Sequence, residues 1–170
     1  MGALDLHVVI VAPEIHWNTG NAGRTCLAAG ATLHLVEPLG FSLDSREVRR
    51  AGLDYWDRVP LRVWESWREL EEHLPGLGEP FFVTPEADRS IWEPAYPDRT
   101  VLVFGCETGG LPAEIRDEYR DRLVSLPMRE SSIRSLNLST SVGIALYEVL
   151  RQQRAGETIL ASPPCPKAAR

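Results

Sequence analysis

Apolar runs alternate along this chain with stretches that are apolar on one side only, and the alternation predicts its elements. Leu6 to Ala12 (LHVVIVA) reads as a buried strand closed by Pro13. Asn18 to Ala29 reads as a loop passing into a helix, with Gly30 at the C-terminal cap position. Thr32 to Val36 is a second strand, ended by Glu37-Pro38, and Ser45 to Ala51 is a short Arg-rich helix stopped by Gly52. Trp64 to Leu74 has the spacing of an amphipathic helix, broken by Pro75-Gly76. Phe81 to Thr84 and Thr100 to Phe104 are the third and fourth strands, Ala113 to Tyr119 is helical, and Leu123 to Leu126 is a fifth strand. In the last helix, Ser139 to Gln153, residues Val142, Ala145, Leu146, Val149 and Leu150 fall on one face, which must be buried. Strands alternating with helices imply an α/β fold, a mostly parallel sheet covered on both faces. The expected organisation is a single domain over residues 1–154 and a flexible tail over 155–170, rich in Pro and without periodicity.

Composition narrows the class. The chain has 170 residues, 44% of them hydrophobic and 25% charged, enough for one real core. No window approaches the ~20 apolar residues of a membrane span, and the N-terminus lacks a basic region followed by an apolar run, so a cytoplasmic protein without a membrane partner is expected. Cys26, Cys106 and Cys165 are far apart, and His7, His16, His34 and His73 form no ligand spacing, so no metal and no disulfide framework is expected. A net charge of −6 argues against a protein that coats nucleic acid indiscriminately. The basic residues are nevertheless almost all Arg, with Lys167 the only Lys. They gather at Arg46, Arg49, Arg50, Arg58, Arg62 and Arg68, and around the last helix at Arg129, Arg134, Arg151 and Arg154. Arg makes bidentate contacts with phosphate, so a local patch on an acidic chain remains in play beside the ordinary solvated surface.

Ligands of open parallel sheets bind where strands end and loops begin, and three strand ends here carry unusual loops. After the first strand come Asn18-Thr19-Gly20-Asn21-Ala22-Gly23-Arg24, small residues with two Asn. After the fourth come Phe104-Gly105-Cys106-Glu107-Thr108-Gly109-Gly110-Leu111-Pro112, one Glu inside a tight glycine loop. After the fifth, Leu126 to Leu138 is dense in Ser, Arg and Asn and leads into the last helix. Asn137, Ser139 or Thr140 caps that helix and leaves backbone N–H groups facing the loop.

Taken together, these three segments resemble motifs 1, 2 and 3 of the SPOUT-class RNA 2′-O-ribose methyltransferases, in the right order and at the right strand ends. The resemblance rests on Asn18-Thr19-Gly20-Asn21 with Arg24, on Phe104-Gly105 with Glu107 and Gly110-Leu111-Pro112, and on Leu126-Pro127-Met128 with Ser135-Leu136-Asn137-Leu138-Ser139 and Tyr147-Glu148. Minimal length, together with Val36 to Phe41 and Arg49 to Tyr55, is similar to the TrmL branch, the tRNA (cytidine/uridine-34-2′-O)-methyltransferases. The chain departs from the commoner pattern at His16-Trp17, where Pro often precedes the Asn, and at Gly109, where a larger residue is usual.

The resemblance implies a deep C-terminal trefoil knot, bound S-adenosylmethionine, a tRNA substrate and a homodimer whose site draws on both subunits. It makes Arg24, Asn137 and Ser135 the catalytic candidates. It gives the cofactor to Val83, Gly105, Glu107, Leu126, Met128, Ser135 and Asn137. Substrate contact falls to Asn18, Asn21 and Arg24, with Arg46, Arg49 and Arg50 on the tRNA. Arg24 is the residue implied to activate the 2′-hydroxyl, yet a guanidinium is protonated at neutral pH and makes a poor base, so position outweighs basicity.

Other classes meet specific obstacles. A dinucleotide-dependent oxidoreductase lacks G-x-G-x-x-G after the first strand. A cysteine hydrolase built on Cys26 or Cys106 lacks a His in a recognisable context. A non-catalytic RNA- or ligand-binding dimer uses the same loops and is separated only by the effect of losing Arg24.

Overall fold

The computed structural model describes residues 4–43 and 53–153. The expected helix at Ser45 to Ala51, with Arg46, Arg49 and Arg50, and the tail over 155–170 lie outside the described residues. Six strands form one sheet: β1 (Asp5–Val11), β2 (Thr32–Val36), β3 (Leu61–Trp64), β4 (Glu79–Val83), β5 (Arg99–Phe104) and β6 (Leu123–Val124), in the order β3-β2-β1-β5-β4-β6. Every pairing is parallel. The helices are α1 (His16–Ala29), α2 (Trp67–Leu77), α3 (Ala113–Glu118) and α4 (Leu138–Gln153), with 3-10 turns at Leu53–Arg58 and Arg120–Arg122.

Strand alternation divides the core between the faces. Val8 and Ile10 of β1 join Leu33, Leu35, Leu102 and Phe104 beneath α1 and α4. Val9 and Val11 join Val36, Val101 and Val103 beneath α2 and α3, where Leu70, Leu74 and Leu77 meet them. Both faces are covered, which is why the central strands read as continuous apolar runs. The α4 stripe behaves as its spacing predicts: Val142, Ala145, Leu146 and Val149 are all buried. Burying side chains of this size contributes ~1.5–3 kcal/mol each.

Three expectations need correction. The stretch from Asn18 to Arg24 is no loop: α1 begins at His16, so Arg24 lies two turns in, and small Gly20, Ala22 and Gly23 let the helix pack closely. Strand β3 went unread because LRVW is a four-residue edge strand with two exposed positions. The neighbouring helix consequently starts at Trp67 and not Trp64. Its start was legible in Ser66 and Glu69: Ser66 Oγ accepts from Glu69 N at 3.2 Å and Glu69 Oε2 accepts from Glu65 N at 2.9 Å. Pro75 lies inside the last turn of that helix and does not end it. The C-cap of α1 is as expected, with Gly30 left-handed at φ 72°.

Beneath α2 a polar relay crosses β3, β2 and β1. Trp64 Nε1 donates to His34 Nδ1 at 3.0 Å, and the His34 and His7 rings share a 2.9 Å bond between Nε2 and Nδ1. Indole is a donor only. His34 therefore carries its proton on Nε2 and gives it to His7 Nδ1, which places the His7 proton on Nε2, 3.0 Å from Asp5 Oδ1. Burial pushes the His34 pKa down to about 3, with the neighbouring His7 and Arg62 acting in the same direction. His7 is also lowered, first by burial and against the opposing pull of Asp5.

The connection between β4 and β5 is clasped on two sides. Ile91 N donates to Ser125 O at 2.9 Å and Ser125 N to Arg89 O at 2.8 Å. Gln152 and Gln153, in the last turn of α4, donate to Pro94 O at 3.1 Å and Pro97 O at 2.6 Å. Among the described residues no helix is long and apolar enough to cross a membrane, and no group of three His, Cys, Asp or Glu side chains is placed to hold a metal.

Candidate active site

The C-terminal ends of β4 and β5, the loop beyond β6 and the start of α1 surround a pocket of about 510 Å³. The β5 loop forms one wall. Cys106 N donates to Gly110 O at 3.2 Å and Gly110 N to Cys106 O at 3.0 Å, so the loop folds back on its own strand end. A Cβ at Gly105 would lie 1.9 Å from Gly110 C and 2.1 Å from Leu111 N, and only glycine allows the approach.

That loop delivers Glu107 to the start of α1. The N-cap of α1 is Ile15, which has no polar side chain to cap with. Glu107 instead takes the amides just ahead of the helix: Oε2 accepts from Glu14 N at 2.8 Å, and Oε1 accepts from Ile15 N at 3.2 Å and Asn18 Nδ2 at 3.1 Å. A carboxylate there also suits the positive end of the helix dipole. Glu14 answers in kind, accepting from Thr108 Oγ1 at 2.7 Å and Thr108 N at 2.9 Å. The two segments are thus clasped by reciprocal glutamates.

The relay continues through Asn18, which is buried at 7% exposure. Glu107 can only accept, so Asn18 presents its NH₂ there and its Oδ1 to Asn137 Nδ2, at 2.9 Å. Asn137 Oδ1 then accepts from Ser139 N at 2.9 Å, Thr140 N at 3.3 Å and Ser139 Oγ at 2.7 Å. Asn137 O accepts from Ser141 N at 2.9 Å. The expectation of free N–H groups at the start of α4 is therefore corrected: Asn137 caps them itself. Each link has one polarity, and together the links fix α1, the β5 loop and α4 in one arrangement.

Other pocket groups are also committed. Glu86 accepts from Thr84 Oγ1 and pairs with Arg116 at 3.2 Å. Cys106 Sγ accepts from Gly109 N at 3.3 Å, and no histidine among the described residues lines the pocket, so a cysteine–histidine hydrolase has no support here.

The SpoU rRNA Methylase family matches residues 5–147. The chain belongs to this family. It is 43% identical over 148 residues to the tRNA (cytidine(34)-2'-O)-methyltransferase of Burkholderia cenocepacia (strain HI2424), covering 86% of this chain and 94% of that one. A solved structure described as "Structural insights into the 2-OH methylation of C/U34 on tRNA" is similar at a TM-score of 0.83 and 41% identity, over 87% of this chain and 95% of that chain. The SpoU methyltransferase AviRb from Streptomyces viridochromogenes, solved with its cofactor AdoMet, is similar at a TM-score of 0.75 and 25% identity, over 92% of this chain and 60% of that chain.

Within this SpoU fold the expected site residues separate into two groups. Val83, Gly105, Glu107, Leu126, Met128, Ser135, Asn137 and Asn18 all line the pocket. The Glu107 carboxylate does so as an anchor, turned toward the start of α1. Arg24 and Asn21 do not line it: both are exposed on α1, and the Arg24 guanidinium lies 5.3 Å from the centre of the Tyr55 ring. Along α1, Arg24 is ~9 Å beyond Asn18. Arg46, Arg49 and Arg50 lie outside the described residues. Sequence reading missed Glu14 and Thr108, partners of a clasp across |i−j| of 94, for which no local signal exists. It also left Arg134 as a flanking charge, although Arg134 lines the pocket next to Ser135.

Proposed function

We propose that this chain is an S-adenosylmethionine-dependent tRNA 2′-O-methyltransferase acting on the wobble nucleotide, cytidine or uridine 34. One observation carries the reading: the three motif segments meet at the strand ends and are interlocked through Glu107, Asn18 and Asn137 around one pocket. The relatives named for methylation at nucleotide 34 supply the substrate and the position.

The residues fit the cofactor. The pocket volume is that of a ligand site, the Gly105 wall admits close backbone approach, and Leu126, Leu111 and Val83 offer apolar surface for a purine. The strand ladder of β6 stops at Val124, with a single bridge at Ser125, and beyond it Leu126 and Met128 line the pocket wall. S-adenosylmethionine bound there supplies an electrophilic methyl group on a sulfonium.

The protein's part is positioning. A ribose hydroxyl reacts when its oxygen is held in line and its proton is accepted. Ser135, exposed in the pocket wall, presents a hydroxyl to the ribose or the cofactor. Arg24 acts as a cation that orients the 2′-hydroxyl and its neighbouring phosphate.

Because Arg24 points away from its own pocket, we assign it to the pocket of a second copy, in a homodimer formed by the adjoining α1 and α4 surfaces. The support is an exposed apolar set on those helices and their approach: Ile15, Trp17, Ile144 and Tyr147. The trefoil knot belongs to the same reading, supported by the clasp that ties residues 89–97 to Ser125 and to the end of α4. A tRNA substrate places the protein in the cytoplasm.

The test is transfer of labelled methyl from S-adenosylmethionine to unmodified tRNA, with nuclease digestion and nucleoside analysis. A single 2′-O-methylated pyrimidine at position 34 is expected. A methylated base, or a ribose methylated elsewhere, would overturn the assignment.

A further inference from the structure

The geometry points to Arg134 as the residue that takes a backbone phosphate of the RNA at the mouth of the pocket. This inference rests on the methyltransferase reading and adds a contact from the subunit that owns the pocket. Among the described residues, three charged side chains line that pocket: Glu86, Glu107 and Arg134. Both carboxylates are spoken for, Glu86 by Arg116 and Thr84, Glu107 by two backbone amides and Asn18. Arg134 is exposed and has no hydrogen-bond, ion-pair or ring partner among the described residues. Several other arginines are occupied: Arg99 with Asp5, Arg116 with Glu86, Arg120 with Asp117, Arg122 with Glu79 and Arg151 with Glu148.

The usual competitor for an anion, the nearby helix N-terminus, is closed, because Asn137 has taken the Ser139, Thr140 and Ser141 amides. Among the described residues, the Arg134 guanidinium is therefore the one uncommitted cation in the wall of this pocket. On a chain of net charge −6, it supplies the local attraction that an RNA backbone needs in order to approach. A guanidinium forks onto two phosphate oxygens. Two anions in the proposed reaction fit this chemistry, the RNA phosphate and the cofactor carboxylate. Exposure favours the phosphate, which stays at the solvent edge while the cofactor lies within.

The test compares the full chain with R134A, R134K and R129A. Arg129 is the control, an exposed arginine in the same loop that does not line the pocket. Measured for each are the S-adenosylmethionine dissociation constant by calorimetry, kcat and KM for tRNA, and the salt dependence of kcat/KM. R134A is expected to raise the tRNA KM about tenfold and to make the salt slope shallower by roughly 0.7–0.9, the value of one phosphate contact. Cofactor affinity should stay within about twofold. R134K should restore the slope more fully than the KM, since lysine keeps the charge and loses the fork. R129A should match the parent.

Loss of cofactor affinity in R134A with tRNA parameters intact would assign Arg134 to the cofactor carboxylate and overturn the proposal. Equal losses in R134A and R129A would reduce it to general surface charge, and no change in R134A would remove it. A parent chain that transfers no methyl would sink the methyltransferase reading; the Arg134 contact is then decided by direct tRNA binding, where parity of R134A with the parent overturns it.

Discussion

Two hydrogen-bond relays cross this molecule, and they solve opposite problems. The one beneath α2 runs from Trp64 through His34 to His7, is buried, and carries no charge until it reaches Asp5 near the surface. The one at the strand ends runs from Glu107 through Asn18 to Asn137 and is anchored on a side chain that two backbone amides and Asn18 surround. A buried charge costs several kcal/mol unless it is paired and hydrogen-bonded. The buried relay avoids that cost by staying neutral. The pocket relay instead gathers donors around Glu107, two backbone amides and the Asn18 side-chain amide. The buried relay therefore holds β1, β2 and β3 together, whereas the pocket relay fixes loops that have no sheet to hold them.

The sharpest break in the pocket relay is Gly105→Ala. The new methyl group would overlap the Gly110 backbone, so the loop carrying Glu107 must move. A loss of about 3 kcal/mol or more is expected in denaturant unfolding, together with loss of cofactor binding. A variant that melts like the parent and still binds cofactor would show that the loop is freer than its close contacts imply.

The buried relay should fail next. His34→Leu leaves Trp64 Nε1 without its acceptor and His7 Nδ1 without its donor, and should cost about 3 kcal/mol. It also predicts a pH effect with a definite sign. The unfolded His takes up a proton near pH 6.5, while native His34 resists protonation down to about 3. Between those values the unfolded chain holds more protons, so stability falls as pH drops, by about 1.4 kcal/mol per unit for this group once well below the upper value. Melting from pH 8 to pH 5 should show the decline, with the slope reduced in His34→Leu. An unchanged slope would move the sensitivity to another residue.

Asn137→Ala tests how far the pocket relay depends on its last link. The lost cap should cost about 1 kcal/mol, and the freed Asn18 should weaken cofactor binding measurably; unchanged affinity would remove Asn137 from the site. Arg24→Ala should have the smallest effect on stability, within about 0.5 kcal/mol, because the side chain is exposed. It should nevertheless abolish methyl transfer with cofactor affinity retained. Residual transfer near the parent rate would favour the non-catalytic view of that residue.

The contrast between the relays also explains what the sequence revealed. Elements long enough to show a period were read closely: β1, β2, β5 and the buried stripe of α4. Short β3 was lost because LRVW gives no period, and α1 was begun late because its small residues look like a loop. The cofactor candidates all lie in the pocket wall because their motifs sit at strand ends, a position that topology alone makes a binding site. Pairings made in three dimensions were beyond reach: Glu14 with Thr108, Asn137 with Asn18, and His34 with Trp64 depend on register and loop closure. The resemblance gives Arg24 to the 2′-hydroxyl, and its helix carries it outside the pocket of its own chain.

The pocket also has an order of assembly. Asn137 and α4 are the last described elements to leave the ribosome, yet they supply the final link to Asn18 and the glutamines that clasp residues 94–97. A nascent chain can therefore form most of its sheet while still lacking a cofactor site. A product interrupted before Asn137 would have strands to pair and would lack the link that closes the pocket.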